Sequence, residues 1–138
     1  MARIISTGVM SKAGSLPLFV VAMAIGIALV LGEQFVFGAA LGRPVDLGEI
    51  DVLAVNAGLV SIPFLILAAR SSTRLVPWVM TFLVTVALHW WWLAKGIAYQ
   101  KAPDGSGVDM FGALVMLISP LPLAALAIGL DLALRRRR

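Results

Sequence analysis

His89 is the single histidine of a 138-residue chain, and imidazole is the side chain whose ordinary titration lies nearest neutral pH. With Glu33 it supplies an acid and a base able to exchange a proton or to pair as ions. Asn56 adds an amide with two donors and one acceptor. Each interrupts an apolar run: Glu33 in LPLFVVAMAIGIALVLGEQFVF, Asn56 in VLAVNAGLVSIPFLILAA, and His89 at the head of HWWWLAKG. Steps of four back from His89 reach Thr85 and Thr81, so one line of that helix carries two hydroxyls and the imidazole. Threonine hydroxyls return bonds to the backbone one turn earlier, so the two threonines do not by themselves require a cavity.

Two chemistries fit this set. The expected one is a structural clamp, in which carboxylate, imidazole and amide fix which helix faces meet. The alternative is a small polar site at which Glu33 and His89 move protons or orient a polar headgroup, with Asn56 and Thr85 beside them. One imidazole with one or two carboxylates falls short of a zinc ligand set, and a bis-histidine haem would need a second chain. No metal site is expected, and the sequence requires no cofactor. No phosphate-binding glycine loop or nucleophile-base-oxyanion set is present, so a catalytic role is not expected. Ser61 and Ser119, isolated in apolar runs, are expected to bond to backbone.

The elements that position these groups follow from composition. Apolar residues make up 61% of the chain and charged residues 13%, with a mean hydropathy of +1.01, far from the roughly one-quarter charged content of soluble domains. Four apolar segments, 16–37, 52–69, 75–94 and 108–134, are each near the ~20 residues that span a bilayer. The expected fold is an all-α four-helix transmembrane bundle in a single integral membrane domain, 1–138. The first segment exceeds the ~7–15 apolar residues of a signal peptide core and is expected to be retained. The absence of cysteine excludes disulfides and thiolate chemistry.

Charge placement orients the bundle. With both termini inside, the inner side carries Arg3, Lys12, Arg70, Arg74 and Arg135, Arg136, Arg137 and Arg138, and the outer side only Arg43, Lys95 and Lys101. Eight basic residues against three obeys the positive-inside rule and gives an N-in, C-in topology, expected for a bacterial inner membrane. The terminal arginines are expected to contact lipid headgroups, and the net charge of +4 is a topology signal with no stripe for nucleic acid. Asp131, separated from that run by three residues, is expected in a local salt network.

Trp78 near the inner end of the third segment and Trp90, Trp91 and Trp92 near its outer end fit interfacial anchors, joined by Lys95 and Tyr99. The alternative for the tryptophans is a stacking surface for a ring-shaped ligand. Ala24, Ala28 and Gly32 repeat every four residues, as do Ala22 and Gly26 on a neighbouring line, the pattern of close helix contacts. Pro63, Pro120 and Pro122 are expected to bend their helices. With little material outside the membrane, the chain is expected to be an accessory or assembly subunit, partnered by lipids and by other transmembrane chains or copies of itself. The alternative is a homo-oligomeric carrier, channel or ligand-binding unit built around the polar layer.

Overall fold

The computed structural model describes residues 16–45, 50–102 and 110–136. It is an all-α bundle: α1 (Leu16–Leu41), α2 (Ile50–Ala69), α3 (Leu75–Lys101), α4 (Met110–Ile118) and α5 (Pro120–Arg136). The last two form one broken span, and the four resulting units are long and apolar enough to cross a membrane. Successive spans are antiparallel. One end of the bundle gathers Arg70, Arg74 and Asp131, and the other gathers Glu33, Asn56 and His89.

The boundaries depart from the sequence expectation in every span: α1 runs on to Leu41 where 37 was expected, α2 starts at Ile50 where 52 was expected, and the other two differences are larger. α3 continues past Lys95-Gly96 to Lys101. A helical glycine costs only about 1 kcal/mol, and the residues that follow keep the backbone ladder running. The fourth span breaks at Ser119, where Pro120 has no N–H to give to the carbonyl of Met116. The Ser119 hydroxyl donates to that carbonyl instead, at 2.7 Å. The helix resumes with Leu123 N–H donating to Ser119 O at 3.1 Å. The start of the fourth expected segment, 108–109, lies outside the described residues.

α1 packs most extensively on α2. Ala22, Gly26 and Val30 form its buried line, facing Ala57, Ser61, Phe64 and Ala68 of α2, which are also buried. Gly26 sits where the helices cross: a Cβ there would collide with Ser61 Oγ and lie 2.5 Å from the Ala57 carbonyl oxygen. Ala22, Phe64 and Ala68 then form the apolar core, flanked by Phe19, Ile25 and Trp78. The other small-residue line, Ala24, Ala28 and Gly32, is exposed.

Both of the resolved turns that leave α1 and α2 cap the preceding helix in the same way. Gly42, at φ +63, lets Arg43 N–H reach Gly38 O at 2.9 Å and its own N–H reach Ala39 O at 3.3 Å, a Schellman closure. Ser71 repeats it at φ 51 without being glycine, with Ser72 N–H on Leu67 O at 3.0 Å. An L-residue in this left-handed conformation costs about 1–2 kcal/mol. The turn so formed sends the Ser72 side chain inward.

Candidate functional site

Glu33 lies one turn beyond Val30 on α1, and His89 belongs to the inward line of α3 formed by Pro77, Thr81, Thr85, His89 and Leu93. The two meet across the bundle, His89 Nδ1 paired with Glu33 Oε1. Their side chains are 7% and 16% exposed, so the pair is largely removed from solvent without being sealed. With Nδ1 engaged by the carboxylate, Nε2 is the ring nitrogen left for any other partner. Pairing with the ring nitrogen gives the Glu33 carboxylate a hydrogen-bond partner, which offsets part of the cost of its burial.

Asn56 and Gln34 face the same space. A cavity of about 320 Å³ is bounded by Glu33, Gln34, Asn56, His89, Trp92 and Ser119, with Val30, Leu59, Met116 and Pro120 completing the wall. Asn56 is exposed and forms no hydrogen bond with Glu33 or His89. The expected layer is therefore a bonded pair plus an unengaged amide across a cavity. On the far side of the pair, a groove of about 180 Å³ between α1 and α3 is lined by Ala28, Gly32, Glu33, Val86, His89 and Trp90. Glu33 and His89 thus form a shared wall between two spaces.

Thr85 does not join them. Its hydroxyl donates to the Thr81 carbonyl at 2.8 Å, the backbone bond expected of a helical threonine. Thr81 Oγ1 is buried with no hydrogen-bond partner among the described residues. Ser61 likewise bonds to backbone, donating to Ala57 O at 2.7 Å.

The tryptophans do not act as a group. Trp90 is 63% exposed. Trp91 lies beneath the Lys95 ammonium, 4.9 Å from its ring centre, and the same ammonium stands 5.8 Å from the Phe111 ring. Trp92 turns to the cavity. With rings ~100° apart around the helix, these three present no common stacking face. Trp78 is part of the bundle: it stacks on Phe64 at 6.2 Å and donates its indole N–H to Ser72 O at 2.8 Å. Tyr99 is exposed on the last turn of α3.

The opposite end holds a second polar cluster. Asp131 is 1% exposed. Its carboxylate accepts from Arg70 Nε, Ser72 Oγ and Arg135 Nε, each at 2.9 Å. Arg135 also donates to the Arg70 carbonyl at 2.8 Å. The salt network expected around Asp131 is therefore a crosslink between the α2–α3 turn and α5. Arg135 is turned inward to it, Arg136 is exposed, and Arg137 and Arg138 lie outside the described residues. Arg70 and Ser72 are the partners sequence reasoning missed. The available signal was topological: RSSTR is the short loop on the same side as Asp131.

Among the described residues, no three His, Asp or Glu side chains converge to hold a metal ion. Comparison with protein-family models, with curated proteins and with solved structures gives no match for this chain. The functional reading therefore stands on the geometry.

Proposed function

We propose that this chain is a non-catalytic, multi-pass accessory subunit of a bacterial inner membrane complex, with both termini cytoplasmic, which assembles with other transmembrane chains or with copies of itself. The observation that carries this reading is the unused small-residue line of α1. Ala22 and Gly26 serve the crossing with α2, whereas Ala24, Ala28 and Gly32 face outward beside the α1–α3 groove. Small side chains let helix backbones approach closely in lipid, where apolar contact alone gives little preference. Ala28→Leu with Gly32→Leu should leave the chain folded, because neither position packs inside the bundle, but should abolish co-purification of a crosslinked transmembrane partner in mild detergent. Unchanged crosslinking in this variant would overturn the reading. The topology is tested with single cysteines in a chain that has none: Lys101→Cys should react with an impermeant reagent from outside intact cells and Ser71→Cys should not.

A second reading, a ligand- or proton-handling unit, is favoured by one observation: the unengaged Asn56 amide faces the Glu33–His89 pair across the 320 Å³ cavity. The two readings separate when assembled protein and transport or binding are measured independently in Glu33→Gln/His89→Gln. Loss of assembly with no separate activity defect supports the clamp. Intact assembly with loss of transport or binding supports the site.

A further inference from the structure

At the end of the bundle opposite Glu33, a slot of about 400 Å³ runs between the first turns of α1 and α3. We propose that it is a binding site for one anionic phospholipid, with an acyl chain lying along the slot and the phosphate held at Arg74. This inference is independent of the assembly reading.

The slot's walls are apolar: Leu18, Val21 and Ile25 from α1, and Trp78, Val79 and Phe82 from α3. They extend over about two helical turns, roughly 10 Å, or about two thirds of the ~15 Å depth of one leaflet's hydrocarbon. The groove is apolar along this length and polar only at its mouth, the arrangement an acyl chain with its headgroup would fill. One wall is fixed in place, because Trp78 is held by its bond to Ser72 O and its stack on Phe64.

The mouth supplies the headgroup preference. Arg74 lines the slot where α3 begins and forms no ion pair with a described residue. Its neighbours Arg70 and Arg135 are already committed to Asp131. Among the described residues at this end, Asp131 is the sole acid, and it is sealed from the surface. A zwitterionic lipid would bring a cation that finds no carboxylate, whereas an anionic lipid brings only the phosphate that Arg74 complements.

Trp78 is a reporter built into the wall. In a chain carrying Trp90→Phe, Trp91→Phe and Trp92→Phe it is the sole tryptophan. In phosphatidylcholine vesicles, a small mole fraction of acyl-brominated phosphatidylglycerol should quench it with an apparent affinity about fivefold above that of acyl-brominated phosphatidylcholine, the factor corresponding to one arginine near the headgroups. Arg74→Gln should bring the ratio close to one, and Val79→Phe, which fills the slot, should weaken quenching by both lipids. Equal quenching by the two lipids in the parent, or a preference that survives Arg74→Gln, overturns the proposal. So does shielding of Trp78 from both lipids, which would place a protein helix there. If the triple phenylalanine variant fails to assemble, native mass spectrometry of the unaltered chain against Arg74→Gln decides the same point. Retained phosphatidylglycerol should fall with Arg74→Gln, and equal retention overturns the proposal.

Discussion

The bundle holds a paired acidic side chain at each end, Asp131 and Glu33, and the two sites are built differently. Asp131 has three side-chain donors on two oxygens and is 1% exposed, and one of its donors returns to bond the Arg70 carbonyl. Glu33 has one partner, borders two spaces and faces an amide that bonds to neither member of the pair. A carboxylate held by three donors from two segments and sealed from the surface is out of a ligand's reach and acts as a crosslink. A carboxylate with a single partner and an open side retains capacity, whatever it is used for. The contrast teaches that burial alone does not distinguish the two acids of this bundle; what separates them is unfilled bonding capacity beside a cavity.

The most severe way to break the comparison is to remove the crosslink. Asp131→Ala should destabilise the bundle by about 2–3 kcal/mol, somewhat under the ~3–5 kcal/mol for a fully buried pair because Arg70 and Arg135 are partly exposed and can regain solvent. Equilibrium unfolding in detergent checks this, and a loss under ~0.5 kcal/mol would remove the distinction between the two ends. Gly26→Ala comes next. The added methyl group meets the Ala57 carbonyl, which cannot rotate away as the Ser61 hydroxyl can, and should cost about 1–3 kcal/mol. Because that crossing lies between the two clusters, the variant reports packing independently of either.

The Glu33–His89 pair should be energetically weaker. A double-mutant cycle through Glu33→Gln, His89→Gln and their combination is expected to give a coupling near ~0.6 kcal/mol and below ~2 kcal/mol, the range of interhelical polar contacts in membranes. A coupling as large as the Asp131 loss would reclassify the pair as a second crosslink. The smallest effect has the opposite sign. Ser71→Gly relieves a left-handed residue at φ 51 and should stabilise the chain by up to about 1 kcal/mol, since glycine takes this conformation freely. Thermal unfolding that shows a decrease would mean the Ser71 side chain does more than form the turn.

Much of this architecture was legible in the sequence because a membrane span must satisfy its backbone internally and present apolar side chains, and both demands are written in segment length and hydropathy. The depth of Glu33, Asn56 and His89 followed by counting along helices. Rotation about each helix axis did not follow, since nearly every face is apolar and no polar stripe marks the interior. That is why the sequence left open which small-residue line of α1 packs inside, and did not separate Trp78, which bonds within the bundle, from Trp90. The same indeterminacy kept Gln34 and Ser119 out of the polar layer, though both line the cavity. Arg70 escaped because its bond to Asp131 spans 61 positions, and a single sequence records no such pairing.

The break in the fourth span carries a kinetic consequence. Proline leaves the Met116 carbonyl without its usual donor, and the Ser119 hydroxyl fills that place within the same turn. The elbow is thus satisfied as it stands, and straightening it would restore no backbone bond, because Pro120 cannot supply the missing N–H. Ser119 and Pro120 are part of the cavity wall, so that wall is preorganised. Any occupant should enter and leave at a rate set by diffusion and desolvation, with saturation free of the slow phase that a helix-straightening step would impose.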